Sequence, residues 1–264
     1  MKPLDDAYAN APYIPGAEDY PPRWTSEAAA FRAELGERAE TGVSYGDTAR
    51  QVFDFFNAPS EPAGTVVFVH GGYWKAFDHT VWSHFASGAI HRGWSVAMPG
   101  YDLCPDVRIR DITRQIARAI MAIAARTEGP ISLTGHSAGG HLVARMTGPG
   151  VLPDAVRDRI VGVAPISPVA RLVPLLETTM NETLQLDQDE ANAESPVFMP
   201  APAVPVEIHV GAEERPVFVE DAERLAHVWG VEAMIEPGRH HFDVIDALKD
   251  PESRLVRFLT PTQG

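Results

Sequence analysis

The chain has 264 residues, 45% hydrophobic and 22% charged, with 36 acidic against 22 basic side chains and a formal charge of -14. That length suits a single α/β domain whose core needs no disulfide or metal staple, and the acid excess excludes a nucleic-acid partner, which wants a basic face. Cys104 is the only cysteine, the first residues carry no apolar signal-peptide core, and no segment spans a membrane, so a cytoplasmic protein without membrane partners is expected.

Residues 1 to about 25 are rich in Pro and Tyr and are expected to be irregular, wrapping over the body. Glu27 to Ala39 has helical composition. Thr65 to Val69 is a near-continuous β-branched and aromatic run, as in a strand buried on both faces, and Ser95 to Met98 reads the same way. Ile112, Ile116, Ile120 and Ile123 recur at helical spacing, and Gly129-Pro130 ends that helix. A short strand, Ile131 to Thr134, then leads into Gly135-His136-Ser137-Ala138-Gly139 and a helix over Ala138 to Met146. Ile160 to Ala164 and Val206 to Val210 are the next strands. Between them, residues 170 to 203 carry several prolines and no clear period, the mark of an inserted lid or cap rather than a second domain. Its acidic cluster, Asp187, Asp189, Glu190 and Glu194, reads as a solvated loop. Val217 to Trp229 is a helix closed by Gly230, Val231 to Ile235 a last strand, and Phe242 to Leu248 and Glu252 to Leu259 closing helices. Strands alternating with helices predict an α/β fold with a mostly parallel, doubly wound sheet, helices on both faces and a small cap insertion.

A G-x-S-x-G motif between strand and helix is a nucleophile elbow, a turn so tight that its flanking residues must be small for the serine to stand exposed. Ser137 is therefore the candidate nucleophile. Its hydroxyl needs a base and a group to orient that base. In this arrangement an acid follows the serine in the chain and a histidine comes last. Gly211-Ala212-Glu213-Glu214 follows one late strand and Gly238-Arg239-His240-His241 follows the last. Of these, Glu214, three residues past the strand-ending glycine, and His241, directly before Phe242, are favoured over Glu213 and His240. For the oxyanion, the expected donors are the backbone N–H groups of Ala138, Gly72 and Tyr73, the last two in the loop His70-Gly71-Gly72-Tyr73-Trp74. The rings of Tyr73 and Trp74 are candidate pocket walls, with ordinary packing beside the sheet as the alternative.

The pairing of His70-Gly71-Gly72-Tyr73-Trp74 with Gly135-His136-Ser137-Ala138-Gly139-Gly140-His141-Leu142 resembles the α/β-hydrolase type of kynurenine formamidase, within the wider carboxylesterase and hormone-sensitive-lipase-like group. The likeness runs from about Val66 to Leu248. Tyr101-Asp102-Leu103-Cys104-Pro105 is similar to that family's Tyr-Arg-Leu-x-Pro segment, with Asp102 in place of the basic residue. The resemblance implies hydrolysis of N-formyl-L-kynurenine to L-kynurenine and formate, through a formyl-enzyme on Ser137, in tryptophan breakdown.

A carboxylesterase acting on small acyl or aryl esters would use the same triad and donors, because fold and triad do not define the pocket. A non-catalytic binding protein on a hydrolase scaffold is the non-enzyme reading, disfavoured while Ser137, Glu214 and His241 are all in place. No cofactor or metal is expected: His240-His241 are adjacent, so they converge poorly on one ion, and no H-E-x-x-H or cysteine-rich spacing occurs. His136 and His141 read as packing or hydrogen-bonding around the elbow, and Cys104 as a small buried residue. The expected partner is a small molecule with an aryl formamide or ester group; a homodimer is compatible with the sequence.

Overall fold

In the computed structural model, which describes residues 2–262, eight strands form one sheet. They are β1 (Ala39–Ser44), β2 (Val52–Phe56), β3 (Thr65–Val69), β4 (Ser95–Pro99), β5 (Ile131–His136), β6 (Ile160–Ile166), β7 (Ile208–Gly211) and β8 (Ala233–Glu236). Their order is β1-β2-β4-β3-β5-β6-β7-β8. β2 pairs antiparallel with β1 and β4, and all other pairings are parallel.

Alternation along β3 explains the two-sided cover. Val67 and Val69 enter one apolar cluster with Ile112, Ile116 and Leu142, while Val66 and Phe68 enter a second with Trp82, Phe85 and Ile245. All five residues of β3 are buried, so the run needs no polar face. Opposite β3, the helix Ile109–Arg126 buries Ile109, Ile112, Ile116, Ile120 and Ile123 completely while Arg110, Arg114 and Arg118 stay exposed. Each buried isoleucine contributes about 1.5–3 kcal/mol of transfer free energy.

Three expectations need correction. The helix placed at Glu27 to Ala39 spans Tyr20–Leu35, because Pro21 and Pro22 occupy its first turn, where a missing N–H costs nothing. Ala39 instead opens β1, and β1 and β2 were not anticipated: β1 is half-exposed and polar, so it carries no apolar run. The third concerns the acidic cluster within residues 170 to 203. That segment forms four short helical pieces, Val173–Glu177, Asn181–Leu184, Gln188–Glu194 and Pro196–Phe198, and buries Leu172, Leu175, Leu184 and Ala191.

The acidic cluster in that segment is not a solvated loop. Asp187 caps the Gln188–Glu194 helix through the Glu190 N–H at 2.8 Å. Glu190 is buried against Arg108, and Glu194 is buried between Arg145 (3.0 Å) and Thr113 Oγ1 (2.7 Å). Arginine partners on neighbouring helices make that burial tolerable.

Candidate active site

The parallel strands all point their carboxyl ends at one side of the sheet, the usual crevice for ligands in such folds. β3 and β5 are neighbours, with Val69 paired to Gly135, so the loop after β3 lies beside the turn after β5. Ser137 sits in that turn at φ 57°, ψ -115°, a conformation an L-residue holds only under strain of about 1–3 kcal/mol. The glycines around it are required by contact. A Cβ on Gly139 would lie 1.9 Å from the Val69 carbonyl oxygen, and one on Gly135 would lie 2.5 Å from that of Gly139. The helix Ala138–Arg145 starts at once, and its first N–H groups have no intrahelical acceptor.

Glu214 and His241 meet in the next two loops. Nδ1 of His241 lies 2.5 Å from Oε2 of Glu214, and both side chains are buried. The second carboxylate oxygen accepts from the Ser167 hydroxyl at 2.5 Å and the Gly211 N–H at 2.8 Å. A Cβ on Gly211 would stand 2.2 Å from the Arg239 carbonyl, so this glycine lets the acid loop and the histidine loop touch. The other candidates turn elsewhere: Glu213 is exposed, and His240 bonds the Tyr20 hydroxyl (3.1 Å) and Asp243 (3.1 Å). Ser167, the residue after β6, was missed; no motif marks it.

Ser137, His136 and His241 all line one cavity of about 310 Å³. Its wall is otherwise mostly apolar, with Trp24, Tyr73, Phe77, Trp82 and Phe242, and it is closed on one side by Tyr8 to Pro12. The N-terminal segment therefore covers the site; no residue between 170 and 203 lines this cavity. Tyr73 is on the wall, but Trp74 is not: its ring is fully buried in the core, edge-on to His141 at 5.0 Å. Tyr73 and Trp74 both have positive φ, 49° and 57°, so successive side chains leave the loop in different directions.

His70 shapes the loop of the expected donors. Its Nδ1–H donates to the Gly71 carbonyl at 2.7 Å, and because the following peptide is trans, the Gly72 N–H points the other way. Neither the Gly72 nor the Tyr73 N–H has a partner among the described residues. Burial pushes the His70 imidazole down to about 3, so it stays neutral, stacked on Tyr101 at 4.3 Å. Tyr101 also donates its hydroxyl to the His70 carbonyl at 2.9 Å. Burial, reinforced by the neighbouring His241, holds His136 well below its ordinary value. Burial also raises the Cys104 thiol to about 12, which leaves it inert. His141 bonds the Glu194 carbonyl at 2.7 Å. Asp102 accepts from Thr48, Gln51 and Gln115 at 2.8–2.9 Å, a structural role away from the cavity. Among the described residues no group of three or more His, Cys, Asp or Glu could hold a metal, and no helix is long and apolar enough to cross a membrane.

A model of the alpha/beta hydrolase family matches residues 66–261. Over 238 residues the chain is 25% identical to the kynurenine formamidase of Salmo salar, covering 84% of this chain and 81% of that protein. The Drosophila melanogaster kynurenine formamidase is 28% identical over 239 residues, covering 82% and 79%. A crystal structure of a protein from Silicibacter sp. TM1040, described provisionally as a thioesterase, is 53% identical with a TM-score of 0.97, covering 98% of this chain and all of that one.

Proposed function

The chain belongs to the alpha/beta hydrolase family, and on that premise we propose that it is an arylformamidase hydrolysing N-formyl-L-kynurenine to L-kynurenine and formate. The observation that carries this reading is the placement of Ser137 and a Glu214-supported His241 on one small aromatic-walled cavity. The kynurenine formamidases similar over most of the chain supply the substrate class.

His241 takes the Ser137 proton as the hydroxyl oxygen attacks the formyl carbon. The carbonyl oxygen becomes an oxyanion facing the Gly72, Tyr73 and Ala138 N–H groups, each worth about 3 kcal/mol of barrier. His241 then returns the proton to the aniline nitrogen, which leaves as the amine of kynurenine. Water, deprotonated by the same imidazole, releases formate from Ser137. Glu214 holds the ring so that Nδ1 carries its hydrogen and Nε2 is the base, and stabilises the imidazolium. Lys75, the only lysine or arginine on the cavity wall among the described residues, offers a charge to the substrate carboxylate.

The provisional description of the Silicibacter protein favours a second reading, a thioesterase. A cavity of about 310 Å³ is at the low end of the roughly 300–1,000 Å³ of ligand pockets, and one lysine is little for a polyphosphate carrier. The test is kcat/KM for N-formyl-L-kynurenine, p-nitrophenyl acetate and butyrate, and an acyl-coenzyme A thioester, in wild type and Ser137→Ala. Formamide preference of several decades, abolished by the alanine, is expected. Fast ester or thioester cleavage with negligible formamide turnover would overturn the formamidase.

A further inference from the structure

The outer wall of the cavity, Tyr8 to Pro12, is built in, not loosely draped. Asp5 accepts from the Thr179 N–H (2.6 Å) and hydroxyl (3.0 Å). Asp6 accepts from the Tyr13 hydroxyl (2.5 Å) and from Arg215 (2.8 Å), whose guanidinium lies 3.6 Å over the Tyr13 ring. The Tyr73 hydroxyl donates to the Tyr8 carbonyl at 2.7 Å, tying this wall to the loop that carries the oxyanion donors.

In this fixed wall one polar atom is left over. Asn10 lines the cavity and is only 8% exposed; its amide N–H faces the Tyr73 hydroxyl, while among the described residues its Oδ1 has no hydrogen-bond partner. A buried acceptor without a donor costs about 1–3 kcal/mol, a cost that apolar neighbours such as Phe77 and Phe242 do nothing to reduce. A bound molecule carrying an N–H would remove it. An anilide has that N–H; an ester or thioester, with oxygen or sulfur in its place, has none.

We propose that Asn10 is a specificity-determining residue whose Oδ1 accepts a hydrogen bond from an N–H of the substrate, selecting amides over esters. This rests on the formamidase reading of the same cavity. The scissile nitrogen receives the His241 proton on its lone pair, so its own N–H remains free for Asn10 throughout. Sites that hydrogen-bond a substrate N–H reject analogues lacking it, because binding them leaves the buried protein group unpaired.

The test compares wild type with Asn10→Leu, which keeps the branched shape and removes the acceptor, and Asn10→Asp, which keeps an oxygen. The first readout is the kcat/KM ratio of formanilide to phenyl formate. It is expected to fall at least tenfold in the leucine variant and less in the aspartate variant; Asn10→Ala replaces leucine if that protein is insoluble. Loss confined to N-formyl-L-kynurenine, with formanilide unaffected, would move the donor to the α-ammonium and overturn the selection of amides over esters. An unchanged ratio for both amides, including a uniform loss on all substrates, overturns it. The second readout needs no amide turnover: inhibition of p-nitrophenyl acetate hydrolysis by acetanilide and by phenylacetone, in which CH2 replaces N–H. Wild type should favour acetanilide and Asn10→Leu should not; equal selectivity in both overturns the role of Asn10. Absence of formamide turnover in wild type would instead sink the formamidase reading alone.

Discussion

Glu214 reaches His241 with one carboxylate oxygen while Ser167 and the Gly211 N–H hold the other. The carboxylate is thus fixed before the imidazole meets it, and only one ring orientation satisfies it. Glu214→Gln keeps the shape but offers the wrong tautomer to Nδ1. A loss in kcat on the order of 10³–10⁴-fold is expected, measured by steady-state kinetics. Glu213→Gln, on the exposed neighbour, should change little; comparable losses in the two variants would refute the assignment.

Ser167→Ala removes one donor to a buried charge. Such a bond contributes about 1.5–3 kcal/mol, and His241 still has its partner. A lowered melting temperature with a smaller kcat loss than Glu214→Gln is the expected pattern, read by calorimetry beside kinetics.

Gly211→Ala tests the contact between the loop of Glu214 and the loop of His241. The added methyl would stand 2.2 Å from the Arg239 carbonyl, so the loop leading to His241 must move. A displacement near 1 Å costs about 10²-fold when it misplaces a reacting group. The prediction is a kcat loss larger than the loss of stability accounts for; wild-type kcat would show that the loop is free to yield.

Arg145 holds the buried Glu194 (3.0 Å) between the helix of the elbow and the segment 170 to 203. Arg145→Ala leaves that carboxylate without its cation, and breaking a buried pair from one side costs about 3–5 kcal/mol. Urea unfolding should show this, and a change below about 1 kcal/mol would mean that water already reaches the carboxylate.

His209 lies on β7 between Glu207 and Glu236, 3.2 Å from each. Burial opposes its charge, but the hydrogen bonds and charges of the two carboxylates outweigh burial and raise its pKa above 6.5. A raised folded pKa contributes stability that is complete below the unfolded value and lost as pH rises through the folded one. The stability gap between wild type and His209→Gln should therefore be largest below pH 6.5 and shrink at higher pH. Glu207 and Glu236 shift the other way, below 4.5, so their share is lost as pH falls into the acid range. Denaturant titrations across this range give the test; a gap that widened with pH would reverse the sign.

The sequence by itself determined the central strands, because β3, β4 and β5 are buried on both faces and so must be runs of apolar residues. It determined the elbow, because a turn this tight admits only glycine at Gly135 and Gly139. It also set out candidate acid and base in chain order. Edge strands escaped it: β1 faces solvent and needs no apolar pattern. So did the start of the Tyr20–Leu35 helix, since prolines break helices everywhere except in the first turn, and no local rule says which turn is first. Only the tertiary structure paired Glu214 rather than Glu213 with His241 rather than His240, because neighbours in sequence differ by which side of the loop meets the core. It alone showed Ser167 beneath the acid, and placed Trp74 in the core while Tyr73 faces the cavity. It also put Tyr8 to Pro12, not residues 170 to 203, over the site. Which segment covers a cavity is decided by contacts between residues far apart in the chain, such as Asp5 with Thr179 and Asp6 with Arg215, and local pattern carries no record of them.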